Sequence, residues 1–282
     1  MKLSERKIHC SVGILTYNSE TNLERCLKSV IGFTDIIIAD GGSTDKTLSI
    51  AERYGCRIIT QSNPGKPIAD FACERNLILS AASEKWFFYI DSDEIMSAEL
   101  CEEIAKIITT PGEHKDAYKV RYLKTSKDGT KVFRTYKEYY QVRFFRTDIN
   151  AKFVRPVHER IELSPSLQIG IIESAWYVPL DKDDLSISIF VRKAWRRTGI
   201  QATEWTPAGI AESFSRAFTT PAVLVAKSSF KIIAVKVKWG KDAIPTKYEM
   251  LRILYAFLIT IQSTKRIISF YGSFLTKKKN RK

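Results

Sequence analysis

Lys85-Trp86-Phe87-Phe88-Tyr89-Ile90-Asp91-Ser92-Asp93-Glu94 decides how the rest of the chain is read. Five apolar or aromatic residues run unbroken and stop at a cluster of carboxylates. A run of this length and composition reads as a buried strand. The carboxylates then lie at its carboxyl end, the edge where open α/β sheets bind ligands. Asp91 and Asp93, two apart in a loop leaving a sheet, can both face one hard cation through oxygen. The same stretch also fits a helix start, with Asp93 or Ser97 capping a helix that begins near Ala98.

Upstream, the pattern repeats. Ile8–Leu15 reads as a first strand ending in the polar segment Thr16-Tyr17-Asn18-Ser19-Glu20. Ser19 or Thr21 can cap a helix running to about Ile31, with Leu23, Cys26, Leu27 and Val30 on one face. Asp35–Ala39 is a second buried strand, ending at Asp40-Gly41-Gly42-Ser43-Thr44-Asp45-Lys46-Thr47, where Ser43 or Thr44 can cap a helix through Tyr54. Gly55 closes that helix, Cys56–Ile59 is a third strand, Asn63–Pro67 is a loop, and a helix runs from about Ala69 to Ala82. Repeated strand–helix alternation predicts an α/β fold: a mostly parallel central sheet with helices on both faces.

After a helix at Ser97–Ile108 and the break at Pro111-Gly112, the pattern changes. Ala117–Leu123, Lys131–Phe133 and Gln141–Phe145 are strand-like, and Lys127-Asp128-Gly129-Thr130 is a hairpin signal. With Phe153–Glu162, Ile169–Ile172 and Ala175–Val178, these predict a smaller, partly antiparallel region. From about Leu185 the chain turns helical and basic.

The chain has 282 residues, enough for one large α/β domain and an appendage, and 44% hydrophobic content fits a globular core. The expected division is a catalytic domain at 1–180, with halves near 8–110 and 111–180, and a helical region at 181–282. Five scattered cysteines without a Cys-x-x-Cys spacing argue for a reduced compartment and against a zinc site. The polar stretch Met1–Lys7 and the short run after it do not read as a secretory signal, so a cytoplasmic location is expected.

Net charge is +14, but residues 192–282 carry 19 Lys and Arg against 4 Asp and Glu. The first two thirds are electrostatically neutral. The basic third calls for an acidic partner such as an anionic membrane surface. Nucleic acid is disfavoured, because no recognised binding module is present. Pro221–Gly240 and Tyr248–Gln262 are apolar but interrupted by lysine or arginine. Neither reaches the roughly 20 uninterrupted apolar residues that span a bilayer. They fit interfacial helices on the inner face of the cytoplasmic membrane, or an amphipathic tail packed on the enzyme. The terminal Lys277–Lys282 run reads as a disordered tail.

Three motifs in order carry a family resemblance: Thr16-Tyr17-Asn18-x-Glu20, Asp40-Gly41-Gly42-Ser43-Thr44-Asp45-x-Thr47, and Asp91-Ser92-Asp93-Glu94. Together they resemble the inverting family 2 glycosyltransferases of the GT-A fold, over roughly residues 8–163. Val142–Arg146 and Val157-His158-Glu159 are more loosely similar to the lipopolysaccharide core β-glucosyltransferases. The resemblance implies transfer of a hexose, glucose in that subgroup, from a nucleotide-diphosphate sugar such as a UDP-sugar. The acceptor implied is a glycolipid or polysaccharide, in lipopolysaccharide core or cell-surface polysaccharide synthesis.

It also implies roles. Thr16, Tyr17 and Asn18 would offer backbone groups at a strand end to a nucleobase, Asp40 would accept from a base N–H unless it is a turn or helix-entry residue, and Glu20 and Gly42 would bind substrate beside them. Lys66 could reach a phosphate, and so could Arg75 unless it is an exposed helix residue in a salt bridge. Asp91 suits the ribose or the metal and Asp93 the metal itself, Mg²⁺ or Mn²⁺ by its oxygen ligands, while Ser92 would bind substrate. Glu159 is the candidate base for the acceptor hydroxyl. His158 could help hold the metal or diphosphate, which requires residues 158–159 to be a loop, since neighbours on a strand face opposite sides. Glu159 could otherwise pair with Arg155 or Arg160. Arg143 and Arg146 could contact phosphate or form a strand's polar face. The Glu-Asp pair that many members use as base is missing. Two other readings remain at this point: a nucleotidyltransferase, which normally carries a glycine-rich basic signature after the first strand that Thr16–Glu20 lacks, and a non-catalytic membrane-binding module.

Overall fold

The computed structural model describes residues 7–66, 68–110, 112, 114–181, 185–206 and 208–279. The expectations for residues 1–6, for Pro67 and Pro111, and for the last three residues lie outside these described residues.

The chain divides into two compact units. The first comprises residues 1–131 and 137–179, the second residues 132–136 and 180–282. In the first unit, strand–helix alternation gives β1 (Ile8–Thr16), α1 (Leu23–Val30), β2 (Phe33–Asp40), α2 (Thr47–Arg53), β3 (Arg57–Thr60), α3 (Phe71–Ser80) and β4 (Trp86–Asp91). There follow β5 (Ile95–Met96), α4 (Ala98–Thr109), β6 (Ala117–Ser126), β7 (Tyr139–Arg146), β8 (Lys152–Val154), β9 (Arg160–Glu162) and β10 (Ile169–Leu180).

Eight strands form one mixed sheet in the order β3-β2-β1-β4-β7-β6-β10-β5. The first four are parallel, and β7 joins β4 antiparallel. β7, β6, β10 and β5 therefore extend the same sheet, while β8 and β9 pair antiparallel in a separate two-stranded sheet. Ile169–Ile172 and Ala175–Val178, expected as two segments, are one strand, β10.

Side chains alternate along each central strand, so each contributes to two cores. Val12, Ile14, Ile36, Ile38, Phe88 and Ile90 pack with Leu23 and Leu27 of α1 and with Leu100 and Ile104 of α4. Leu15, Ile37, Ala39, Phe87 and Tyr89 pack with Ala72 and Ile78 of α3 and with Phe153 of β8. Both faces of the parallel half are thus covered, which is why these strands read as continuous apolar runs. Gly13 lets α3 approach β1: a Cβ there would lie 2.5 Å from Ile78 Cγ2 and 2.7 Å from Phe87 Cζ.

Helix starts follow local chemistry in two of four cases. Asp70 caps α3 by accepting from Cys73 N at 2.9 Å, and Ser97 caps α4 by accepting from Leu100 N at 3.1 Å. Neither α1 nor α2 has a side-chain cap bond, contrary to expectation. Ser43 is spent elsewhere, as described below. Cys10, Cys26 and Cys101 are buried, and burial pushes each thiol up, so none is poised as a nucleophile. Cys73 is exposed.

The second unit is helical: α5 (Ile187–Glu204), α6 (Ile210–Phe214), a π-turn at Ser215–Thr219, α7 (Thr220–Trp239) and α8 (Thr246–Lys279). Lys131–Phe133 does not form the expected strand. Instead Arg134 bridges to Ala243, with Arg134 N donating to Asp242 O at 2.8 Å and Ile244 N to Arg134 O at 2.9 Å. Phe133 packs against the small core of Leu180, Val235, Ala243 and Ile244. Helix α8 continues through Lys279, so Lys277–Lys279 are helical backbone where a disordered tail is expected.

Candidate active site

The order β3-β2-β1-β4 makes β1 and β4 neighbours at the point where the chain switches direction across the sheet, the place where α/β sheets open a crevice at strand carboxyl ends. Register sets its lining: Thr16 pairs with Asp40 across β1 and β2, and Leu15 with Asp91 across β1 and β4.

Two loops are laced together at this edge. Buried Asp40 accepts from Thr16 Oγ1 at 2.8 Å, Gly42 N at 2.8 Å, Ser43 N at 2.7 Å and Ser43 Oγ at 2.6 Å. Four donors use the acceptor capacity of a carboxylate. Asp40 therefore acts here as the turn residue that shapes its own loop. Asn18, at φ 48°, accepts from Thr44 N at 2.9 Å and donates its own N–H to Ser43 Oγ at 2.8 Å. Glu20 N donates to Asp45 at 3.1 Å, and Lys46 N donates back to Glu20 at 3.1 Å. Tyr17 is left 45% exposed at the rim.

Gly42 adopts φ 86°, and a Cβ there would lie 2.9 Å from Gly65 N. Gly65 N donates to Gly41 O at 2.7 Å, which brings the loop carrying exposed Lys66 onto this turn. Sequence reading missed Gln61, which is buried and donates to Thr16 O at 3.1 Å and Ala39 O at 2.9 Å, joining the ends of β1 and β2. It also missed Glu74, buried on α3, which accepts from Ser62 N at 3.1 Å.

The carboxylate loop after β4 is held from below. Glu94 is buried, accepts from Asp91 N at 3.0 Å and lies 3.3 Å from Arg143 Nη1. Burial pushes Glu94 up to about 7; Arg143 opposes this, and Asp91 and Asp93 add to it. Arg143 is not an open phosphate contact. It is buried, donates to Tyr89 O at 3.1 Å, and is sandwiched 4.3 Å from the Tyr89 ring and 4.6 Å from the Trp176 ring. Arg146, on the other side of Phe144-Phe145 in sequence, pairs with Asp148 on the surface. The signal for Glu94 was present in the cluster Asp91–Glu94; the burial of its side chain was not.

Arg75 is likewise neither exposed nor open to a phosphate. It is 2% exposed, stacks 4.9 Å from the Tyr89 ring, pairs through Nη2 with Asp91, and lies 3.6 Å through Nε from Glu159 Oε1. Glu159 thus faces Arg75, and not Arg155 or Arg160. Residues 155–159 form a loop between β8 and β9, with Arg155 at φ 74° and His158 at φ 57°. These left-handed turns let successive side chains leave the strand alternation. Exposed His158 and partly buried Glu159 come from this loop. It is tied to α3, the helix that carries Arg75: Phe71 N donates to Pro156 O at 2.9 Å, and Asn76 exchanges two 2.9 Å bonds with the Phe153 backbone.

Asp91 is 44% exposed in spite of its arginine, and Asp93 is exposed, its carbonyl accepting from Arg25 Nη2 at 3.2 Å. Ser92 Oγ lies 3.1 Å from Ser19 Oγ, which joins this loop to the one after β1. Among the described residues no group of three His, Cys, Asp or Glu side chains forms a dedicated metal cage. Mg²⁺-like ions do not need one, since they keep waters and use one or two carboxylates plus substrate phosphates. The donor set of Asp91 and Asp93 fits that chemistry. A cavity of about 390 Å³ lies at the opposite end of β4, lined by Lys85, Trp86, His114 and Arg146. It is remote from these carboxylates.

The model of glycosyl transferase family 2 matches residues 11–160. An uncharacterized glycosyltransferase, RC0292, of Rickettsia conorii is 32% identical over 115 residues, 40% of this chain and 39% of that protein. The lipopolysaccharide core biosynthesis glycosyltransferase LpsC of Rhizobium meliloti is 29% identical over 110 residues, 38% of this chain and 40% of that protein. The chain thus spans about 40% of the length of these curated relatives. Among solved structures, S. aureus TarS 1-349 in complex with UDP aligns over 93% of this chain and 91% of that one, with 18% identity and a TM-score of 0.47.

Proposed function

The chain belongs to glycosyl transferase family 2, and from that premise we propose that it transfers a hexose, glucose in the first instance, with inversion from a UDP-sugar to a glycolipid or polysaccharide acceptor. One observation carries this reading: Asp91, from the strand whose neighbours form the crevice, and Glu159, from a loop outside the sheet, meet on one buried cation, Arg75.

The interlaced loops at Thr16–Glu20 and Asp40–Thr47 receive the nucleoside. Tyr17, Asn18, Glu20 and Gly42 shape its rim, Thr16 and Asp40 set the loop conformation, and Lys66 offers its ammonium to phosphate. Asp91 and Asp93, with Ser92 beside them, would hold Mg²⁺ or Mn²⁺, which when bound supplies Lewis-acid screening of the diphosphate leaving group. Glu159 takes the proton from the acceptor hydroxyl as that oxygen attacks the anomeric carbon and the bond from that carbon to the diphosphate oxygen breaks. His158 lies next to the base on the same loop and faces donor or acceptor. Arg75 keeps Glu159 beside Asp91.

The likeness to LpsC supports a lipopolysaccharide-type acceptor, and the basic second unit supports work at the inner face of the cytoplasmic membrane, against an anionic surface. Nucleotidyl transfer has no observation in its favour. A panel of nucleotide sugars with Mn²⁺ or Mg²⁺, read by release of free nucleoside diphosphate, tests the proposal. Turnover of at least one UDP-hexose that disappears in Asp93→Ala is expected. No release from any donor in the presence of glycolipid extract would overturn it.

A further inference from the structure

The second unit is built inside out. Many of its buried helix positions are small or hydroxylated: Ala194, Thr198 and Ala202 on α5, Ser228 on α7, Ala256 and Ser263 on α8. Many of its large apolar side chains point outward, although Val235, Ile244, Leu251 and Leu258 are buried. On α7 Val223, Phe230, Ile233 and Val237 are 45–83% exposed, and on α8 Met250, Phe257, Ile261 and Ile268 are 44–67% exposed. The spacings of seven, three and four on α7 and seven, four and seven on α8 put each set on one face of its helix. On α7 the buried residues Pro221, Ser228 and Val235 follow a seven-residue spacing of their own on the opposite face. In water, burial runs the other way. Small residues at helix contacts and large apolar residues outside are the arrangement used where the surroundings are lipid. Thr198, Ser213 and Thr260 return their hydroxyls to the carbonyl four residues back, so these hydroxyls need no water.

Charge selects what covers these faces. Exposed Lys227 and Lys238 flank the α7 face, and exposed Lys247 and Lys265 flank that of α8. A second copy would bring like charges together, whereas an anionic headgroup layer would neutralise them. Lysine also recurs along α7 at 227, 231, 236 and 238, and Arg252 and Lys265 divide α8. Both patterns suit helices lying in the interface plane with lysines reaching outward, and not helices crossing the bilayer. The helical stretch Ala211–Asp242 is by length and composition long and apolar enough to cross a membrane, but its lysine rim favours the in-plane arrangement.

We infer that α7 and α8 seat the protein on an anionic lipid surface, their outward apolar faces inserted at the headgroup boundary. This deepens the membrane part of the function proposed above.

The test is co-sedimentation of the full chain with phosphatidylglycerol vesicles and with phosphatidylcholine vesicles. Binding to the first and at least tenfold weaker binding to the second is expected. Phe257→Asp with Ile261→Asp, and separately Lys227→Glu with Lys238→Glu, should each weaken binding about tenfold or more while circular dichroism stays unchanged. Equal binding to both vesicles, no binding, or binding indifferent to both pairs of changes would overturn the inference. So would retention on the vesicles after sodium carbonate extraction, which marks a spanning helix. A dimer in sedimentation velocity that Phe257→Asp with Ile261→Asp abolishes would give the faces to a second copy. Vesicle binding by a chain that releases nucleotide from no donor would uphold the lipid surface and remove the glycosyl-transfer reading alone.

Discussion

The two units solve opposite packing problems. The first buries Trp86, Phe87, Phe88, Phe144, Phe145 and Trp176 in two cores and pairs its buried charges: Asp35 with Arg57, Glu94 with Arg143, and Arg75 with Asp91 and Glu159. The second keeps a small core around Val235, with Leu251 and Leu258 also buried, and leaves Phe230, Ile233, Val237, Phe257 and Ile268 outside. Large apolar burial stabilises a fold by about 1.5–3 kcal/mol per side chain, so the first unit's stability lies in its own interior. Much of the second unit's large apolar surface faces outward. The lesson is that one composition, apolar with scattered lysine, encodes a core in one context and a surface in another. What differs is whether the apolar positions converge on each other.

Substitutions can break this comparison. The largest expected effect is at the carboxylate edge. Asp93→Asn should lower turnover by about a thousandfold, on the order of 4 kcal/mol, measured as nucleoside diphosphate release. Vesicle binding should not change. Arg75→Met comes next: it removes a buried cation from two acids and should cost on the order of 3 kcal/mol of stability in urea unfolding. Arg75→Lys should restore part of the stability and less of the turnover, because one ammonium replaces two separate N–H directions. Glu159→Gln should lower turnover at least a hundredfold while leaving UDP binding within about twofold.

A smaller effect concerns pH. Burial pushes Asp35 up, but bonds from Arg57, Ser11 and Ser83 outweigh it and hold the carboxyl at about 2 against an ordinary 3.8. A group whose folded pKa is depressed adds stability above its unfolded pKa and loses it as pH falls through the folded one. The first unit should therefore lose on the order of 1–2 kcal/mol between pH 3.8 and about 2, the solvent around half-exposed Arg57 weakening the pair. Asp35→Asn should flatten that part of a stability-against-pH curve. The smallest effect sharpens the contrast: Phe257→Asp should change unfolding in vesicle-free buffer by less than about 0.5 kcal/mol, where Phe88→Asp in the first unit would abolish folding.

Much of the fold was legible. Trp86–Ile90, Ile36–Ala39 and Ile8–Leu15 are short, largely apolar runs bounded by turn-rich segments, which reads as buried strands, and the motif residues fall at strand ends because polar chemistry cannot continue into those cores. Lys131–Phe133 misled, because its partner, the segment around Ala243, lies more than a hundred residues away in sequence. Ser43 looked like a helix cap; Asp40, three residues earlier, claims its hydroxyl. Arg75 and Arg143 looked like surface or phosphate groups because arginine usually is one.

The sequence by itself determined the strand–helix order, the carboxylates at the end of β4 and the imbalance of charge between the two parts of the chain. These follow from local pattern: apolar period, turn chemistry and residue count. Only the tertiary structure decided that Arg75 joins Asp91 to Glu159, that Glu94 and Arg143 underpin the carboxylate loop, and that the helical unit turns its small residues inward. Such facts depend on which distant segments meet. Burial, and with it the meaning of a charge or a phenyl ring, is a property of that meeting and not of the residue.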